Sequence, residues 1–225
     1  MSNGNMYEFI GETWNPLNGQ CPHNCPYCST NKLKKRFPVM RELYSGEIRI
    51  NERQLNRKLG ELSTVFVCAQ NDLFAEGNEF EIATILGRCL DNQHNGNNYY
   101  FQTKNPAAFH EWYYPENSTF CITLESNSFY DKYMGNTRHP KLRVADFATF
   151  EKQHKQITIE PIMDFDLDEF VSLIRICDIE QVNIGADSGK NGLPEPSREK
   201  LESLIIALKK FTKVHLKNNL KRLLA

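Results

Sequence analysis

Hydrophobic residues along the chain fall into short runs of strand length, separated by amphipathic helical patterns. The runs are "TVFVCA" (64–69), "YYFQT" (99–103), "TFCITL" (119–124), "ITIEPI" (157–162), "QVNIGA" (181–186) and "KVHLK" (213–217). Many of their residues are β-branched or aromatic. Their apolar character is nearly continuous, as in strands buried on both faces. A further short strand is expected near "ETWNPL" (12–17). Between the runs, "EFEIATILGRCLDNQ" (79–93) places Ile82, Ile85, Leu86 and Cys89 on one helical stripe, and "LDEFVSLIRIC" (167–177) does the same with Phe170, Leu173, Ile174 and Cys177. "SREKLESLIIALKKF" (197–211) follows two prolines and offers Ser197 as N-cap; "NPAAFHEWY" (105–113) predicts a helix opened by Asn105 with proline at its first position.

Strand followed by helix, repeated, predicts βα units around a parallel sheet. There are about six units, and the spacing is too short for the eight of a closed barrel. The expected fold is therefore α/β, a partial (β/α)6-type barrel with mostly parallel strands, in one domain over residues 1–225. A doubly wound open sheet is the competing architecture.

Nearly every predicted strand ends in polar residues, among them Gln70, Asn71 and Asp72; Thr103 and Lys104; Thr123, Glu125 and Ser126; Glu160; Asp187; and Lys217. In a parallel barrel these ends share one face, the face that carries active sites. Individually each also fits as a turn or cap residue.

Composition narrows the setting. The chain has 225 residues, 40% of them apolar, and a formal net charge of −1, which argues against coating nucleic acid through bulk charge. The N-terminal "MSNGNMYEFIGETWNP" lacks a basic segment followed by an apolar one, and no stretch approaches 18 apolar residues. No leader and no membrane span are expected. Seven cysteines without a secretion signal point to a reducing, cytoplasmic setting, where thiols are buried, reactive or metal-binding rather than paired.

Three of the seven stand in "QCPHNCPYCSTN" (20–31), as C-x3-C-x2-C: Cys21, Cys25 and Cys28. Three thiolates can close three corners of a [4Fe–4S] cube and leave one iron open to an exogenous ligand. Other readings are a zinc site completed by His23 or a distant cysteine, a redox pair in "CPYC", or buried structural thiols. His23 is too close in sequence to chelate easily beside Cys21 and Cys25. Cys68, Cys89, Cys121 and Cys177 are scattered through apolar elements and read as small core residues.

The loop, with Tyr27 before its last cysteine, resembles the signature of the radical S-adenosylmethionine (SAM) superfamily. "TWNPLNGQC" (13–21), "VFVCAQNDLF" (65–74), "FQTKNP" (101–106), "ITLES" (122–126), "ITIEP" (157–161), "NIGADSG" (183–189) and "HLKNN" (215–219) are similar, in the same order, to motifs of a poorly characterised phage and prophage family within it. The resemblance implies an enzyme whose cluster, held by Cys21, Cys25 and Cys28, cleaves SAM reductively to a 5′-deoxyadenosyl radical that abstracts hydrogen from a substrate. It implies that Tyr27 lies against the adenine, that Asn71 and Asp72 receive the methionyl amino group, that Lys104 pairs with the carboxylate, and that Thr123, Glu125 and Ser126 hold the ribose. It also implies an external electron donor of flavodoxin or ferredoxin type.

The candidate catalytic and substrate residues are Asn15, Glu160, Asp187 and Lys217. Basic segments at 32–36 and in the C-terminal tail favour a nucleobase or nucleic-acid substrate. A peptide or small metabolite is the alternative, as are a non-enzymatic zinc module and an iron–sulfur electron carrier.

Overall fold

The predicted apolar runs pair in chain order into one sheet. The structure, a computed structural model, describes residues 7–225; residues 1–6, part of the stretch in which no leader is expected, lie outside the described residues. Its strands are β1 (Glu12–Trp14), β2 (Leu17–Asn18), β3 (Arg49–Ile50), β4 (Thr64–Val67), β5 (Asn98–Thr103), β6 (Ser118–Thr123), β7 (Lys155–Ile159), β8 (Gln181–Ile184) and β9 (Lys213–Leu216). The main sheet has the order β1-β4-β5-β6-β7-β8-β9 and every pair in it is parallel. Its edge strands, β1 and β9, do not pair with each other, so the barrel is open. β2 and β3 form a separate antiparallel pair beside the cysteine loop.

The strands are not apolar on both faces as expected. On the helix side, Val65, Val67, Phe101, Phe120, Ile122, Ile157, Ile159, Val182 and Ile184 join the main core. The opposite face carries Gln102, Thr123, Gln156, Thr158, Asn183 and His215, joined by side-chain hydrogen bonds. A small cluster of Tyr7, Ile10, Phe66, Tyr100 and Cys121 lies among them. The inner face opens into a cavity, where polar groups can be satisfied. Tyr, Cys and Thr at these positions look apolar in a one-dimensional reading. Tyr7 reaches from the N-terminal segment across this face; its hydroxyl donates to Gln102 Oε1 at 2.7 Å and lies 2.6 Å from Thr158 Oγ1.

The helices follow the predicted stripes. Ile82, Ile85, Leu86 and Cys89 are buried on Glu79–Asp91. On Leu167–Arg175, Phe170 and Ile174 are buried, Leu173 is half-buried, and Cys177 is buried just beyond the end. Ser197 caps Arg198–Leu208 by accepting from the Lys200 N–H. The segment at 105–113 differs: it is a 3-10 helix, Pro106–Glu111, and the Asn105 side chain donates to the Phe74 carbonyl instead of capping. Helices Ser29–Arg36 and Pro38–Leu43 bury almost nothing and gave no apolar stripe to read. No helix among the described residues is long and apolar enough to cross a membrane.

Candidate active site

The C-terminal strand ends open into a cavity of about 810 Å³, lined at one end by the cysteine loop and at the other by residues after β7, β8 and β9. The loop is shaped by tight local bonds, Asn24 N–H to the Cys21 carbonyl and Cys28 N–H to the Cys25 carbonyl. Gly135 presses against it from outside: its φ is +62°, and a Cβ there would overlap the carbonyl of His23. Cys28 is the N-cap residue of helix Ser29–Arg36.

Cys21, Cys25 and Cys28 all line the cavity, and none is in a disulfide. Cys25 is buried; the other two are half-exposed. Burial, reinforced by Asp72, pushes the Cys21 thiol up to about 12, and burial also raises Cys25. Thiols in this state become thiolates when a metal group supplies positive charge. Among the described residues no three His, Cys, Asp or Glu side chains converge on a single ion. A cube whose corners carry separate irons needs three thiols bordering one space, and all three cysteines of the loop line this cavity.

Beneath the loop lies a buried charge network. Glu125 is fully buried; it accepts from Arg143 Nη1 at 2.8 Å and from the Tyr27 hydroxyl, and lies 3.0 Å from Lys104 Nζ. Burial alone would raise the Glu125 carboxyl, but Arg143 and Lys104 outweigh it and bring it down to about 2. Arg143 uses its remaining donors on the carbonyls of Thr123 and Arg138 and on Thr137 Oγ1. Lys104 also lies 4.6 Å over the Tyr27 ring and 3.4 Å from Cys25 Sγ. Burial opposes its charge, but Cys25 and Glu125 more than compensate and raise its pKa.

Asp72 pairs with His23 at 2.8 Å, accepts the Lys104 N–H at 2.8 Å, and accepts the Phe74 N–H at 3.1 Å. Its burial is outweighed by His23, so its carboxyl is lowered. Asn71 lines the cavity and donates to the Gly19 carbonyl.

At the far end, Lys217 Nζ bonds Glu160, whose other oxygen accepts from Asn219 Nδ2 at 2.7 Å. Lys217 also lies 4.6 Å over the Tyr7 ring. A side chain at Gly185 would overlap the Glu160 carboxylate, so the glycine admits that residue. Asp187 lines the cavity, but its carboxylate accepts from Gly189 N and from Asn191 N and Nδ2, closing its own loop.

Of the residues singled out from the sequence, the cavity gathers the three cysteines, Tyr27, Asn71, Asp72, Lys104, Thr123, Glu160, Asp187 and Lys217. Asn15, Glu125 and Ser126 stand behind its wall. Asn15 Oδ1 accepts the Gln70 N–H, and Ser126 Oγ donates to the Asp164 carbonyl. β6 ends at Thr123, which leaves Glu125 and Ser126 in the buried turn beyond it.

Sequence reasoning missed Arg143, Asn219, Tyr7 and the structural use of His23, whereas Gln102, a strand-end polar residue of the kind it expected, lines the cavity. Only His23, placed between the cysteines, carried a local signal.

A parallel open barrel with its cavity at the C-terminal rim places the chain among the radical SAM-type partial-barrel folds. The chain belongs to the family described as "Protein of unknown function (DUF5131)", whose model matches residues 5–199. No curated protein matches it. Similar solved structures include spore photoproduct lyase complexed with dinucleoside spore photoproduct, at 12% identity and a TM-score of 0.62 over 96% of this chain and 78% of that one. A mutant of that lyase with bound AdoMet and the same dinucleoside has a TM-score of 0.61 at the same identity and coverage. Streptococcus suis SuiB bound to S-adenosylmethionine is 11% identical, with a TM-score of 0.50 over 93% of this chain and 51% of that one.

Proposed function

We propose that this protein is a radical SAM enzyme. The observation that carries the reading is the lining of one cavity by all three thiols of the C-x3-C-x2-C loop together with the polar C-terminal ends of the strands. Cys21, Cys25 and Cys28 would hold a [4Fe–4S] cluster, which when bound supplies one electron for reductive cleavage of SAM. Asn71, Asp72 and Lys104 adjoin the loop and would orient the methionyl group, and Tyr27 would stack near the adenine. Glu125 and Arg143 act behind them by fixing Lys104 and Tyr27. The volume is ample for a cofactor and a substrate.

The substrate would occupy the Glu160–Lys217 end. Donors and acceptors alternate there on Lys217, Glu160, Asn218, Asn219 and His215, beside the Tyr7 ring. That chemistry suits a nucleobase, free or in a nucleic acid, with hydrogen abstraction as the first step.

Anaerobic reconstitution tests the reading. About four irons per chain and dithionite-dependent release of 5′-deoxyadenosine are expected. Cys21→Ala, Cys25→Ala or Cys28→Ala should each abolish that release. A colourless protein holding stoichiometric zinc would sink the proposal. Transfer of deuterium from a labelled nucleoside or oligonucleotide into 5′-deoxyadenosine tests the substrate class.

A further inference from the structure

Beside the Glu160–Lys217 end, the inner face of the sheet carries a chain of hydrogen bonds that reaches the cavity at His215. The Tyr100 hydroxyl donates to Gln156 Oε1 at 3.3 Å, and Asn183 Nδ2 donates to the same oxygen at 3.3 Å. Asn183 Oδ1 accepts from Gln181 Nε2 at 2.8 Å and lies 3.2 Å from His215 Nδ1. Asn183 is completely buried and stands opposite His215 in the register of β8 and β9. His215 is half-buried and lines the cavity.

This chain assigns a tautomer to the imidazole. Asn183 turns its nitrogen toward the Gln156 oxygen, so its own oxygen is what meets His215. An oxygen acceptor calls for a proton on Nδ1, and in the neutral ring that leaves a bare lone pair on Nε2. Nε2 has no hydrogen-bond partner among the described residues, and it is not among the buried atoms left without one. Pairing within the sheet accounts for Nδ1. It does not account for an acceptor left open on a residue that borders the cavity.

Lys217 lies two residues further on. Its N–H bonds the Ile184 carbonyl at 2.9 Å, which continues the extended strand, and its side chain also lines the cavity. Alternate residues of a strand share one face, about 6–7 Å apart. His215 therefore sets an acceptor beside the donor of Lys217. The ligand edge that matches this pair carries an N–H next to an acceptor. A trans peptide bond points its N–H and C=O to opposite sides and cannot show both to one wall. The lactam or amidine edge of a nucleobase shows both together.

We infer that His215 is a substrate-binding residue whose Nε2 accepts an N–H from the edge of a nucleobase, with Asn183 as the positioning residue that fixes its tautomer. The inference rests on the nucleobase reading proposed above and names the residue that reads the base.

The test uses the full chain without cluster, uridine as the probe, and 3-methyluridine as the same ring with its N–H blocked. Above neutral pH, nitrogen-15 spectra of histidine-labelled chain should show His215 protonated on Nδ1. Uridine should shift its Nε2 resonance and bind at least about tenfold more tightly than 3-methyluridine. In His215→Leu, uridine should fall to the affinity of 3-methyluridine, which itself should not change. His215→Gln, which keeps an acceptor, should retain the preference. Asn183→Leu should move the proton to Nε2 and abolish the preference.

A proton on Nε2 in the native chain overturns the assignment. So does a uridine preference that survives His215→Leu, or a His215 resonance that ignores uridine. None of these measurements needs the cluster. Absence of dithionite-driven 5′-deoxyadenosine release from the native chain instead overturns the enzyme reading, and the nucleoside comparison still decides the role of His215.

Discussion

The two ends of the cavity use the same residue types with different degrees of enclosure. At the cysteine end, Arg143 and Glu125 are completely inaccessible, and their charges are met by protein groups on every side. At the far end, Glu160 and Lys217 keep 12% and 11% of their side chains accessible and both border the cavity. A fully buried, fully satisfied ion set cannot exchange a partner without a large desolvation cost, so it acts as framework. A pair at the cavity wall can trade a hydrogen bond for one from a ligand. The difference separates residues that shape the site from residues suited to meet a substrate.

The sharpest way to break this distinction is Arg143→Met. It leaves the Glu125 carboxylate with Lys104 and Tyr27 as its partners among the described residues. The expected loss is about 3–5 kcal/mol, as for removal of one member of a buried pair. In a chain of this size that corresponds to a fall in melting temperature on the order of 10 °C. A change within error would show that the network is not framework.

The next effect is a pH dependence. Glu125 titrates at about 2 in the folded chain against an ordinary 4.5, a depressed value. Its contribution to stability is therefore complete above pH 4.5 and is lost as pH falls through the window from 4.5 to 2. The shift corresponds to something on the order of 3 kcal/mol. Denaturant titrations of the native chain and of Glu125→Gln across that window should show a steeper acid loss in the native chain. Parallel curves would remove Glu125 as its source.

A smaller effect is expected at Gly135. Its positive-φ backbone, with φ +62° and ψ −142°, and its contact with the His23 carbonyl leave no room for a side chain. Gly135→Ala should cost about 1–3 kcal/mol from the backbone conformation alone. It should also lower iron uptake on reconstitution, because the displaced segment carries the cysteine loop.

These residues mark where the sequence was legible and where it was not. The strands could be read because their apolar runs are short, bounded by turn residues and regularly spaced. The cysteine loop stood out because its three cysteines lie within eight residues. Arg143 could not be read: it sits in an ordinary helical stretch, and its partners are contributed by β6, the turn after it and residues 137–138. The polar inner face was hidden for a related reason. Thr158, Cys121 and Tyr100 alternate with large apolar residues, and only the folded sheet shows that they share the face of the cavity-lining Gln102 and Thr123. Glu125 and Ser126 were placed at a strand end, but the strand stops at Thr123 and the turn carries both out of the cavity.

The smallest effect on folding is expected at the far end, and there it is the most informative. Lys217→Met removes one partner of Glu160, but Asn219 remains bonded to that carboxylate and cavity water can reach it. The methionine keeps most of the apolar stem against Tyr7. The stability loss should stay near 1 kcal/mol, read from the denaturation midpoint. If the far end is the substrate end, dithionite-driven 5′-deoxyadenosine release without substrate should persist in this variant, while deuterium transfer from a labelled substrate disappears. Loss of both together would place Lys217 with the cofactor and erase the division between the two ends. Retention of both would leave the Glu160–Lys217 pair as wall rather than binding site. Uncoupling, cleavage without transfer, is the outcome expected under the proposed function for a pair that is accessible and borders the cavity.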